Sequence, residues 1–69
     1  DLGTALDWIE QAAERGNAQA MYDLGHAYGL GLGRVVDYAL SVEWLEQAEA
    51  AGQPQARDLA RLMRLKGGP

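Results

Sequence analysis

Apolar residues recur every three or four positions along the chain, and no segment alternates with period two. That spacing places them on one side of a helix, so the pattern predicts helices and no strand. Four helical segments follow from it. The first runs from about Leu2 to Arg15, with Leu2, Ala5, Leu6, Ile9, Ala12 and Ala13 inward, Trp8 widening the stripe, and Asp7, Glu10, Gln11 and Glu14 elsewhere. Gly16 ends it, since glycine accepts the left-handed conformation that closes a helix, and Asn17 caps the next through its side-chain oxygen. The second, from about Ala18 to Gly29, packs through Ala20, Leu24, Ala27 and Tyr28, with Met21 beside them. Gly25 in its middle costs about 1 kcal/mol relative to Ala, which is easiest to accept where another helix approaches closely. Gly29, Gly31 and Gly33 then break the helix.

Asp37 is the expected N-cap of the third helix, which runs to about Ala51 and stops at Gly52. Its inward stripe is Leu40, Ser41, Trp44, Leu45 and Ala48, with Val42 alongside. The fourth helix starts after Gln53, with Pro54 in its first turn, where proline forfeits no helical hydrogen bond. It carries Ala56, Leu59, Ala60, Leu62 and Met63 and ends near Lys66, ahead of a disordered tail over 67–69.

The chain repeats itself. Trp8 and Trp44 lie 36 residues apart, and at that offset Glu10 meets Glu46, Gln11 meets Gln47, Ala12 meets Ala48 and Gly16 meets Gly52. Gln19 then meets Gln55, Ala20 meets Ala56, and Asp1 meets Asp37. Leu6 with Val42, Asp7 with Glu43 and Ile9 with Leu45 are conservative pairs at the same offset. A period of this length is the signature of stacked helical repeats.

The pattern A-x-x-x-L-G-x-x-Y-x-x-G-x-G-x-x-x-D-x-x-x-A-x-x-W-x-x-x-A-x-x-x-G resembles the Sel-one-like repeat, a relative of the tetratricopeptide repeat. Ala20, Leu24, Gly25, Tyr28, Gly31, Gly33, Asp37, Trp44, Ala48 and Gly52 meet it; Ser41 stands where the family prefers Ala, and Arg34 where it prefers Val. The resemblance implies an all-α superhelix, a right-handed solenoid of antiparallel helix pairs. It divides the chain into a half repeat over 1–16, a full repeat over 17–52 and a single helix over 53–66. In that last helix Arg61 and Arg64 stand where the full repeat has Gly25 and Tyr28. Two cations do not bury without partners, so the helix reads as a C-terminal cap. The first helix carries no such polar modification, and further repeats are expected before Asp1; a reading frame starting there would refute this.

Composition narrows the function. Residues 1–52 carry nine acids against Arg15 and Arg34, a net −7, while residues 53–69 carry Arg57, Arg61, Arg64 and Lys66 against Asp58, a net +3. The acidic bulk argues against nucleic acid as a partner, and the cationic last helix suits an acidic neighbour. No cysteine is present, which removes disulfides and thiolate metal sites, and no apolar run reaches the ~20 residues of a membrane span. The loop GLGLGRVV follows a helix and has no preceding strand, so it is not a phosphate-binding loop.

His26 is the one histidine; Asp23 or Tyr22 could join it on a helix face, but no third ligand is near, so no metal and no cofactor is expected. Ser41 and Thr4 make poor nucleophile candidates, since Ser41 occupies a packing position, and the carboxylate pairs fall at helix-surface spacing. Trp8 and Trp44 are expected in the core. No catalytic residue emerges.

What remains is recognition by surface. In tetratricopeptide-like arrays the first helix of each repeat lines a concave groove. That resemblance places Gln19, Tyr22, Asp23 and His26 on the groove, with Gln55, Asp58, Leu59 and Leu62 as their equivalents on the last helix. Such a mixture suits an extended or helical peptide. The expectation is a non-catalytic scaffold that binds a partner protein or peptide there. The alternatives are binding or hydrolysis of a small cell-wall or β-lactam-like molecule, which the family resemblance brings with cysteine-rich members, and self-association through the exposed helical ends, the N-terminal helix above all. In so short an array, a pocket by Tyr22 and His26 should be shallow.

Overall fold

A computed structural model describes residues 2–68, with side chains from Thr4 onward. The expected capping register of Asp1, the inward Leu2 side chain and Pro69 lie outside the described residues. Four helices follow in order: α1 (Leu2–Glu14), α2 (Ala18–Leu30), α3 (Tyr38–Ala50) and α4 (Ala56–Gly67). No strand occurs among the described residues. Short turns fold neighbouring helices back on one another, so that α1 packs on α2, α2 on α3, α3 on α4, and α2 also touches α4. The result is an all-α solenoid in which α2 has helices on three sides.

The helix starts follow the capping chemistry. The Asn17 side chain accepts from the Ala20 amide at 2.9 Å, and Asp37 accepts from the Leu40 amide at 3.0 Å. Each satisfies one of the donors a helix leaves orphaned at its start. Gly31 closes α2 in the left-handed region, with φ 70°, and its N–H returns to the Ala27 carbonyl. Helix α4 starts later than expected. Gln53, Pro54 and Gln55 form a tight turn, in which Ala56 donates to Gln53 O at 3.0 Å and Arg57 to Pro54 O at 3.1 Å. These bonds span three residues rather than four, and the α-helix proper begins at Ala56.

The core is small and centred on α2. Leu24, Leu45, Ala48, Ala56, Ala60, Met63 and Ala13 are almost wholly shielded, with Ile9, Tyr28, Val42, Trp44 and Leu59 packed at its margin. Two glycines set its geometry. A Cβ on Gly25 would lie 2.7 Å from Leu45 Cγ and 3.1 Å from the Ser41 carbonyl, so α3 comes closer to α2 than any side chain allows. Ser41, fully buried, uses the same closeness to donate its hydroxyl to the Gly25 carbonyl at 2.6 Å. Gly29 lies inside α2, not at its end, and a Cβ there would stand 2.6 Å from Met63 Sδ of α4. Its role is close approach, a turn further along the face that Gly25 opens.

Two expectations are corrected. Trp44 is half-buried as expected, but Trp8 is 69% exposed. Helix α1 has one described neighbour, α2, with Leu6, Ile9 and Ala13 on its inward side; Trp8 projects away from the core, whereas its counterpart Trp44 on α3 packs against it. The tail also differs, because Gly67 is the last residue of α4 and packs against Tyr38, where a Cβ would come within 3.1 Å.

The loop between α2 and α3 is fastened across the first two helices. Arg34 donates from Nη1 to Tyr28 Oη at 3.1 Å and from Nη2 to Glu10 Oε1 at 3.1 Å, with its guanidinium carbon 5.1 Å from the Tyr28 ring centroid. The Asp37 amide then donates to the Tyr28 carbonyl at 3.0 Å. The buried Arg34 Nε has no hydrogen-bond partner among the described residues.

Two measurements test this packing. Gly25→Ala gains about 1 kcal/mol of helix propensity, yet it overpacks against Leu45 at a cost of about 1–3 kcal/mol. Urea denaturation should therefore show a net loss, whereas Gly29→Ala, which meets the flexible end of Met63 and, at 3.0 Å, the Ser41 hydroxyl, should lose less. For the loop, a double-mutant cycle of Glu10→Gln and Arg34→Met should give a coupling of about 0.5–1 kcal/mol. Amide exchange at Asp37 should accelerate in both single variants.

Candidate partner-binding faces

The sequence-predicted site residues fall on one side of α2 and the matching side of α4. On α2, Gln19 is exposed, and Tyr22, Asp23 and His26 are half-exposed. Gln19 donates from Nε2 to Asp23 Oδ1 at 3.0 Å. The Tyr22 and His26 rings, one turn apart, lie 6.1 Å between centroids with their planes tilted by 51°. Both contacts are what i, i+4 spacing on a helix allows. The four side chains thus form two linked pairs rather than four independent groups.

Gln53 was not anticipated. It stands in the turn before α4, half-exposed, and donates from Nε2 to Gln19 Oε1 at 2.8 Å. That bond ties the turn leading into α4 to the outer row of α2. At the 36-residue offset Gln53 falls on Asn17, the N-cap of α2, and nothing in that pairing points to a bond with Gln19. Gln55, just before α4, and Asp58 and Leu62 on it are exposed, Leu62 by 45%. Leu59 is different. It packs against the core, because at this register the α4 backbone lies against α3 and α2. The face is therefore amides, one phenol, one imidazole, two carboxylates and one leucine.

A concavity lies away from these residues. It is an open cleft of about 720 Å³, lined by Val36, Tyr38, Ala39, Val42, Met63 and Arg64, together with Asp37, Gly67 and Gly68. Neither Tyr22 nor His26 borders it. Its walls are the start of α3 and the end of α4. Arg64 stands at its margin and is ion-paired with Glu46 of α3, each side chain 53% exposed.

Among the described residues no three of the His, Asp and Glu side chains converge as metal ligands would. No helix among them is long and apolar enough to cross a membrane.

Comparison with known proteins places this geometry. The family model of the Sel1 repeat matches residues 1–17 and 18–53. No curated protein and no solved structure gives a match. The matched residues cover α1 to α3 and the turn after them, including Asn17, Gly25, Asp37 and Trp44, whose roles in capping and close packing are described above. With most of its length matched, the chain belongs to the Sel1 repeat family.

Proposed function

We propose that this chain is a non-catalytic scaffold that binds a partner protein or peptide on the shared outer face of α2 and α4. Sel1 repeats are in general protein-interaction modules. The observation that carries the reading is the connected row Gln53–Gln19–Asp23 beside the Tyr22–His26 pair. Side chains already held by one another lose less freedom when a ligand arrives, which favours binding. Gln55, Asp58 and Leu62 extend the row at the same register one repeat on, so a ligand lying across both helices meets a periodic surface. The exposed donors and acceptors of Gln19, Gln53 and Gln55 suit the backbone of an extended peptide. Leu62 offers an apolar anchor, and Asp23 and Asp58 favour a basic residue in the partner.

A second reading rests on the exposure of Trp8. Helix α4 carries Arg61 where α2 has Gly25, the position at which even a Cβ would clash with Leu45. A further helix therefore does not dock on α4 as α3 docks on α2, which supports α4 as the closing helix of the array. In the 69-residue chain the exposed flank of α1 around Trp8 offers a surface for α1 of a second copy, in a symmetric contact.

Peptides selected from a random library against the 69-residue chain test the first reading. The expected result is that Tyr22→Ala and the pair Asp23→Lys with Asp58→Lys each weaken the selected peptides at least ten-fold, while Trp8→Ala does not. Unchanged affinity in the charge-reversal variant would remove the support for this face. For the second reading, sedimentation velocity should show a concentration-dependent dimer that Trp8→Glu abolishes; a strict monomer at millimolar concentration would count against it.

A further inference from the structure

We infer that the outer face of α2 and α4 is ordered in bands, and that it takes an extended segment with a basic residue two positions from an aliphatic one, the aliphatic side chain seated over Leu30 and Leu62. This rests on the reading of that face given above and names the partner's chemistry. Leu30 is the addition. The sequence pattern ends α2 at about Gly29, whereas the helix runs to Leu30. That residue extends the row Gln19, Asp23 and His26 by one more turn, at i, i+4, i+7 and i+11 on the same side of the helix.

Two contacts set the level of one helix against the other. Gln53, in the turn leading into α4, bonds to Gln19, and Met63 Sδ lies 2.6 Å from where a Cβ on Gly29 would stand. Both pairs are 34 residues apart in sequence and they lie towards opposite ends of α2, so α2 and α4 run in the same direction without slipping. At that offset Asp58 stands level with Leu24, next to Asp23, and Leu62 stands level with Tyr28, two residues short of Leu30. Two carboxylates therefore share one level and two leucines another, about 8 Å further along at the helical rise. Lys66 comes level with Leu32, beyond the leucines. Leu30 and Leu62 are 48% and 45% exposed. They adjoin Gly29 and Met63 in sequence, and each is turned about 100° out of the contact those two make.

Charge complementarity selects the occupant. Asp23 and Asp58 attract a base, and Lys66 repels one from the far end, so the basic and aliphatic residues cannot exchange places. An extended chain advances about 6.6 Å over two residues and returns its side chain to the same side. Residues i and i+2 thus reach the two bands, the length of a lysine or arginine side chain covering the remainder. A helical segment would need about five residues for the same span, a spacing that puts the two side chains on different sides.

The test is a heteronuclear NMR titration of the 69-residue chain with the blocked peptides Ser-Arg-Ser-Leu-Ser and Ser-Leu-Ser-Arg-Ser, which cover both chain directions. Saturable shifts are expected at Asp23, His26, Leu30 and Leu62 with at least one of them. In the tighter peptide, replacing Leu by Ser or Arg by Gln should each weaken binding about five-fold. The double variant Leu30→Ser with Leu62→Ser should cancel the first preference and keep the second, and Asp23→Asn should do the reverse. Equal affinity for the Leu and Ser peptides, or no saturable shift with either direction at millimolar peptide, would overturn the inference, and neither comparison needs an altered protein. Library-selected peptides that lose affinity with Tyr22→Ala but not with Leu30→Ser would also overturn it, while leaving the wider reading of the face in place.

Discussion

The close contact between α2 and α3 is the constraint on which the molecule depends. With Gly25 offering no side chain, Leu45 and Ser41 settle onto the α2 backbone, and the Ser41 hydroxyl takes the Gly25 carbonyl as its acceptor. The carbonyl of a helical residue already serves the amide four residues on, so this second bond satisfies the serine rather than the glycine. A buried hydroxyl without an acceptor would cost about 1–3 kcal/mol, a large share of the stability of a chain with so small a core. Closeness and polarity are therefore linked: Ser41 is tolerated in the core because Gly25 brings an acceptor within reach.

The two carboxylates Glu10 and Glu46 show how a repeat keeps a position while changing its partner. Each stands on the second helix of its unit and faces the following helix, and each is met by an arginine. In the first unit the arginine comes from the loop and crosses a phenol; in the second it comes from the helix, from the position the phenol vacates. The first arrangement is partly buried and joins three segments of chain, so it fastens the loop. The second is exposed and joins two, so it contributes little to stability and leaves the guanidinium accessible.

The helices, their caps and the repeat were legible in the sequence because each has a local cause. Asn17 and Asp37 precede apolar periodicity by the right interval, and Trp8 with Trp44 sets the register of everything else. The glycines were only half legible. Gly25 was recognisable as a place of close approach, but Gly29 looked like a helix breaker, since nothing local reveals that Met63 will cross it from 34 residues away. Trp8 was misread for a related reason: whether an aromatic is covered depends on which neighbours its helix has, not on its spacing. Gln53 and the Arg34 clasp needed three-dimensional proximity to be seen at all.

Position within the stack also bears on which surface can act as a recognition surface. Helix α2 is held by α1, α3 and α4, and its one open face carries Tyr22 and His26. Were a partner to bind this proposed face, side chains on an element packed by three others would need less ordering on contact. Helix α1 is the opposite case, with one neighbour among the described residues and Trp8 exposed. An exposed tryptophan on its flank suits association by area more than recognition of a particular sequence.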